Sequence, residues 1–443
     1  MEIISEYLPL IMFASVFALL LLGYPVAFTI GGVSLFFGLI GFGTDFFSLL
    51  PLRIWGTMTN FTLLAVPLFI YMGVMLEKSG LAEELLETMS LMFARIRGGL
   101  AISVIVVGAL MGASTGIVGA TVVTMGLLSV PTMLKRKYDP ALATGTVAAS
   151  GTLGQIIPPS IILVLLGDIM SVPIGELFVG AVIPGLVLVV LYIIYVFFIS
   201  NLKPELAPLI PQEELDKISK KELFQRALKV MFPPLFLMLA VLGSIFAGIA
   251  SPTEAASVGA VGATMLTIFL KKFNKEVLNE AMETTVQLTS MVFIILVGAT
   301  TLGLVFRGLG GDELIRELIG ALPFGKWGIL FIVMLIIFIA GFFLDFIEIT
   351  FIHVPVLAPI MISMGVDPLW LAVLIAINLQ TSFLTPPFGF SLFYLKGVCP
   401  PGIKTTDIYR GIAPFVVIQL IALLLICFFP QMVTWLPKTL LGN

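Results

Sequence analysis

Two carboxylates, Asp345 and Glu348, stand inside a long apolar run, 327–364, that holds no other Asp, Glu, Lys or Arg. A charge at mid-membrane costs about 2.5–3.5 kcal/mol on insertion scales, so such groups are retained for function by default. Thr350 follows closely, and Asn378, Gln380, Thr381 and Ser382 cluster some thirty residues on. An earlier cluster has no carboxylate: Ser114 and Thr115, then Ser150, Gly151 and Thr152. Carboxylate, amide, hydroxyl and backbone oxygens are hard ligands that suit Na⁺ far better than a transition metal. Two Na⁺ sites are therefore expected. The first comprises Ser114, Thr115, Ser150, Gly151 and Thr152; the second comprises Asp345, Glu348, Thr350, Asn378, Thr381 and Ser382. The competing readings are a shallow loop with solvated carboxylates and, for the small residues, close helix packing.

The two clusters belong to a repeated frame. Pro131-Thr132-Met133, Asp139-Pro140 and Pro158-Pro159 return as Pro359-Ile360-Met361, Asp367-Pro368 and Pro386-Pro387, each shifted by 228 positions. Two copies of one unit follow. Paired, proline-interrupted hydrophobic segments at matching positions point to a transport site. Freed backbone groups cost several kcal/mol in lipid unless protein or a wet cavity satisfies them.

Composition fixes the solvent. The 443 residues are 59% hydrophobic and 11% charged, against roughly 25% charged in soluble domains. The chain reads as an all-α polytopic membrane protein in a lipid bilayer. Its net charge of −3 comes without a basic run that would suit nucleic acid. The start, Met1-Glu2-Ile3-Ile4-Ser5-Glu6, lacks a basic region, so a cleaved leader is not expected. Cys399 and Cys427 have no metal or redox spacing. Gly397 and Gly402 approach a phosphate-loop spacing, but Ile403 separates Gly402 from Lys404. No nucleophile elbow or histidine pair is present, and no enzyme is expected.

Repeat one is expected over 1–200: scaffold 1–97, re-entrant hairpin 98–134, Pro-broken helix 139–168 and span 174–200. A cytoplasmic linker, 201–229, follows. Repeat two covers 230–430: scaffold 230–320, hairpin 323–364, broken helix 367–395 and span 411–430, with a C-terminal tail, 431–443. Short interfacial pieces are expected at 44–58 and 271–285. Hairpin arms of about 15 residues are too short for roughly 30 Å of hydrocarbon at 1.5 Å per residue. Helix breaks are expected at Gly112–Gly116 and at Ser150–Thr152. Leu81, Leu85, Met89, Met92 and Ile96 give one apolar helical face, which suits either an interfacial helix or one packed on the protein's own surface. Asp139 and Asp367 read as N-caps with proline at the first helical position, and Ser251 with Glu254 as a capping box. His353, the only histidine, reads as a core residue rather than a proton relay. Threading by the positive-inside rule places 18 of the 23 Lys and Arg residues inside. The repeats are then inverted, with hairpin one opening to the cytoplasm and both termini periplasmic.

Several motifs together resemble the large membrane subunit of tripartite ATP-independent periplasmic (TRAP) transporters. They are Gly112-Ala113-Ser114-Thr115-Gly116, Gly154-Gln155-Ile156-Ile157-Pro158-Pro159-Ser160, Ser251-Pro252-Thr253-Glu254-Ala255-Ala256 and the run Asn378 to Pro387. The resemblance covers essentially the whole chain. It implies an elevator-type secondary transporter, similar to the ion transporter superfamily, in the bacterial inner membrane. Hairpins and broken helices form its mobile domain, and Na⁺ drives uptake of an organic anion. It implies two partners, a periplasmic substrate-binding protein and a small four-helix membrane subunit, the latter expected as a separate chain because this one begins at the first span. The substrate is expected between the hairpin tips, against Gly116, Gln155, Pro158, Gln380, Thr385 and Pro386. One departure is local. Many relatives carry a Met-Asp-Ser-Thr-Pro type tip where this chain has Leu344-Asp345-Phe346-Ile347-Glu348-Ile349-Thr350. The aspartate carries over, Glu348 and Thr350 stand in for the Ser-Thr step, and an α-keto, hydroxy or dicarboxylic acid is the expected cargo. A stand-alone Na⁺- or H⁺-coupled carboxylate carrier of the same architecture is the alternative.

Overall fold

Side-chain caps set where several of the helices begin in the computed structural model, which describes residues 7–209, 219–320, 323–386 and 389–442. Pro387 and residues 210–218 of the expected linker lie outside them. In the first half the helices are α1 (Leu8–Leu21), α2 (Val26–Phe42), α3 (Leu50–Met58), α4 (Ala65–Lys78), α5 (Leu81–Met92), α6 (Gly99–Thr115), α7 (Val118–Lys135), α8 (Pro140–Thr152), α9 (Ile161–Met170) and α10 (Ile174–Leu202). The second half has α11 (Lys220–Phe246), α12 (Pro252–Phe269), α13 (Lys275–Gly308), α14 (Gly311–Gly320), α15 (Lys326–Ala340), α16 (Phe346–Ile352), α17 (Val354–Ser363), α18 (Pro368–Leu384), α19 (Phe390–Val398), α20 (Thr405–Phe428) and α21 (Gln431–Leu441). No strand occurs among the described residues. Six helices are long and apolar enough to cross a membrane, and two bent pairs raise that to eight.

Asp139 accepts from the Ala141 and Leu142 amides at 2.9 and 3.1 Å, and Asp367 from the Trp370 amide at 2.8 Å. Each starts a helix at an aspartate–proline pair, where proline's fixed φ and missing N–H cost nothing. Ser251 and Glu254 form the capping box that starts α12. Shifted by 228, the start of α6 falls beside that of α15, α8 coincides with the start of α18, and α9 falls beside α19.

The halves differ where local chemistry differs. A 52° bend separates α3 from the stretch Thr62–Lys78. The Asn60 side chain there accepts the Thr62 amide at 3.0 Å, a local turn that competes with helix. At the matching positions α13 runs unbroken for 34 residues. The interfacial piece expected at 271–285 is therefore not separate, because its Lys- and Glu-rich sequence continues the helix. The end of the expected linker, 220–229, likewise belongs to α11, and Arg226 in it pairs with Glu87 of α5 at 2.6 Å. The expected tail is the helix α21, whose Val433 is buried against Gly180 of α10.

Leu81, Leu85 and Met89 are buried, so α5 packs on the protein, against α6 and α11. Two groups of helices emerge. In one, α4 packs on α12 and α13, and α13 on α2. In the other, α8 packs on α6, α7 and α20, and α18 on α15 and α20. Helix α8 is buried from Leu142 to Thr152 and α18 from Trp370 to Leu384, so both lie at the centre of the second group. Phe28, Phe269 and Phe428 are 74%, 78% and 76% exposed. Side chains of that size on an outer surface suit hydrocarbon rather than water.

Candidate ion and substrate site

Helix α6 continues through Ser114 and Thr115 and stops only at Gly116, whose φ is +62°. The expected break at Gly112–Gly116 is thus only two residues, the left-handed Gly116 and the extended Ile117, because an αL glycine ends a helix without help from its neighbours. The arms of hairpin one are 17 and 18 residues long rather than about 15. At 1.5 Å per residue they reach about 26 Å; α6 falls short of a crossing, whereas α7 is one of the six helices long and apolar enough for one. Ser150, Gly151 and Thr152 lie in the last turn of α8, and the chain leaves regular α-helix at 153–160, past the expected position. Asn378, Thr381 and Ser382 likewise lie within α18, which ends at Leu384. An α-helix turn satisfies its own backbone wherever the sequence lets it, so the breaks withdraw to the Pro-Pro segments.

Hairpin tip one seats on the end of α8. A Cβ on Gly112 would come within 2.6 Å of the Gly154 amide nitrogen, and one on Gly154 within 2.5 Å of the Gly112 carbonyl oxygen. Only two glycines permit that approach. Tip two seats in the corresponding way: Gly341 abuts Ser382, and Asn378 Nδ2 donates to the Met334 carbonyl at 2.7 Å. The two seats touch each other. Gln380 Nε2 donates to Thr152 Oγ1 at 3.3 Å, and these residues are equivalent positions 228 apart.

Most site hydroxyls spend their proton on their own helix. Ser114 donates to Met111, Ser150 to Val147, Thr152 to Ala149, Thr350 to Phe346, Thr381 to Ile377 and Ser382 to Leu379, at 2.7–3.0 Å. Each oxygen keeps lone pairs for a cation, the polarity a Na⁺ ligand needs. Thr115 instead meets Thr121 Oγ1 at 2.8 Å, a partner the sequence reading missed. Asp345 accepts the Phe346 amide at 2.8 Å, and Glu348 accepts the Asp345 amide at 3.0 Å. Together they form a capping box that starts α16. The pair therefore has a structural duty beside any ionic one, and its D-x-x-E spacing announced it.

A cavity of about 350 Å³ opens between the tips, with Ile117 and Val118 on one side, Asp345 and Phe346 on the other, and Thr284 of α13 as a wall. Its lining holds no Lys or Arg. None of the six expected substrate residues lines it. Gly116, Gln155, Pro158 and Gln380 are buried, and Thr385 and Pro386 are partly exposed. The Gln155 side chain is fully buried with neither polar atom hydrogen-bonded, and Gln380 Oε1 is likewise unpartnered. Such groups cost about 1–3 kcal/mol each, which marks a place where a ligand or another state supplies partners.

Polar residues outside the two clusters join the helix groups. Asn60 Nδ2 donates to Asp168 Oδ1 of α9, and Thr124 Oγ1 of α7 to Glu77 Oε1 of α4, both at 2.7 Å. Asp168 and Glu77 were legible by the argument that singled out Asp345, as carboxylates in apolar helices. His353 is 2% exposed between Phe13 and Phe17 of α1, with ring centroids at 6.0 and 5.3 Å, and its Nδ1 is unpartnered.

Residues 13–432 match the family described as tripartite ATP-independent periplasmic transporter, DctM component. The chain is 29% identical to the C4-dicarboxylate TRAP transporter large permease protein DctM of Vibrio cholerae, over 98% of both chains. It is 29% identical to the sialic acid TRAP transporter large permease protein SiaM of Vibrio cholerae, over 96% of this chain and 97% of that one. It is also 29% identical to the ectoine TRAP transporter large permease protein TeaC of Halomonas elongata, over 96% and 98%. The crystal structure of the Alcanivorax borkumensis YdaH transporter shares the fold, with TM-score 0.62, 14% identity and coverage of 91% of this chain and 97% of that one. This multi-pass membrane protein belongs to the DctM family, the large permease subunits of TRAP transporters.

Proposed function

We propose that this chain carries a small carboxylate-bearing anion inward across the bacterial inner membrane, driven by Na⁺, by an elevator movement. The observation that carries the proposal is the paired seat: two hairpin tips on two broken helices, meeting where Gln380 reaches Thr152. In this reading α6–α9 and α15–α19 move as one unit against a frame of α1–α4 and α11–α13. Na⁺ ions at the two oxygen clusters neutralise the anion, since the cavity between the tips offers it no fixed cation. The relatives' names specify C4-dicarboxylates, sialic acid and ectoine, and each of these carries a carboxylate.

Orientation follows the basic residues. Lys271, Lys272 and Lys275 mark the start of α13 as cytoplasmic. The tip cavity borders α13 at 284–292, nearer that end, whereas a second cavity of about 830 Å³ borders its other end, 296–308. The inverted repeats, the inward-facing state and the periplasmic termini belong to one reading. A periplasmic binding protein delivers the anion to the outer face, and a small membrane subunit braces the frame. Co-reconstitution tests the assembly: uptake of a C4-dicarboxylate into liposomes requires both partners with this chain, and full uptake by this chain alone favours a stand-alone carrier.

A further inference from the structure

We propose that the cavity between α3, α9 and α13 is a carboxylate-binding vestibule, separate from the tip cavity, in which Arg53 and Arg307 take the anion first. The proposal rests on the reading of this chain as an anion carrier. Thr57 of α3 and Thr300 of α13 lie 3.3 Å apart and hold the two helices together. Arg53 stands one turn before Thr57, and Arg307 two turns after Thr300, so each shares a helix face with its threonine. Both arginines line the same cavity, which means that the two helices deliver their cations to one mouth.

Arg53 has no acidic partner among the described residues. Arg307 makes one loose, exposed ion pair, Nε to Asp312 Oδ2 at 3.9 Å, beyond hydrogen-bond length, which leaves its terminal N–H groups for another anion. Asp168, the acidic group in the lining, already accepts from Asn60. The lining is then net cationic, with two planar forks that match carboxylates. Its volume of about 830 Å³ falls within the roughly 300–1,000 Å³ of small-molecule sites. Phe351 and Pro355, just past the tip of hairpin two, form another wall. The anion would wait beside the element that must move to admit it.

The test needs neither the cargo's identity nor the partner proteins. Gly56 lines the cavity, and a Cβ there meets nothing within 4 Å. In a Cys399→Ser, Cys427→Ser background, Gly56→Cys supplies a reporter thiol. Its labelling by an anionic methanethiosulfonate is compared with that by a neutral one. The expected anionic-to-neutral rate ratio exceeds about 10, as focusing by a charged cleft provides. It falls to near 1 with Arg53→Gln plus Arg307→Gln, and stays high with lysine at both positions. Succinate at constant ionic strength slows labelling in the arginine protein and not in the glutamine variant. A ratio unmoved by the glutamines, or protection by chloride equal to that by succinate, overturns the proposal. These readouts require no uptake, so failure of the carrier reading in liposomes is seen separately.

Discussion

Asp345 caps a helix and borders the tip cavity at once, and the two duties separate by substitution. Asparagine caps as well as aspartate does, so Asp345→Asn is expected to change thermal stability little while abolishing Na⁺-dependent uptake. Unchanged Na⁺ dependence removes Asp345 from the ion site. Asp345→Ala loses the cap as well and is expected to cost about 1 kcal/mol in unfolding free energy. Ser114→Ala with Thr115→Ala removes two oxygens of the proposed first site. The Na⁺ concentration for half-maximal uptake is expected to rise about 5-fold or more, the equivalent of one lost interaction of about 1 kcal/mol. Residue types were readable in the sequence at this scale, but pairings were not. Thr115 finds Thr121 only because a left-handed Gly116 folds one arm back on the other.

Between elements, the proposed frame and moving unit meet backbone to backbone at hairpin tip one. A Cβ on Gly73 of α4 would sit 2.3 Å from the Thr115 Cα at hairpin tip one. In the elevator reading backbone slides on backbone there, so Gly73→Ala is expected to slow uptake more than 10-fold. Gly243→Ala, where nothing lies within 4 Å, is expected to leave uptake unchanged, and equal rates for the two would remove tip one from the moving surface. The Asn60–Asp168 bond crosses the same interface. A hydrogen bond to a charged group is worth about 1.5–3 kcal/mol, so Asn60→Ala is expected to shift the inward–outward balance at least about 10-fold, read by cysteine accessibility from the two sides. Element order was legible from prolines, glycines and polarity. Break positions were not, because α8 and α18 run on past their polar residues until Leu153 and Thr385. The boundary after 58 was read correctly in the first repeat, but its absence from the second was hidden, since one side-chain hydrogen bond at Asn60 decides it.

Over the whole molecule, Thr152 and Gln380, 228 positions apart, come into contact. The hydrogen bond couples the two seats, so ion binding at one is expected to be felt at the other and Na⁺ dependence to be cooperative. The oxygen clusters differ in charge, one carrying Asp345 and Glu348 and the other no carboxylate, which predicts unequal affinities. The arginines stand apart from both, at the opposite end of α13 from the tip cavity. Sequence alone could not assemble Arg53 with Arg307, because the pairing of α3 with α13 is a long-range fact. The most direct measurement is concentrative uptake in liposomes holding this chain with both partners, under an inward Na⁺ gradient, equal Na⁺ on both sides, or an inward K⁺ gradient. Accumulation above the external anion concentration is expected with the Na⁺ gradient alone, together with its loss in Asp345→Asn. Accumulation that is the same with K⁺, or that persists without any Na⁺ gradient, would contradict Na⁺ coupling.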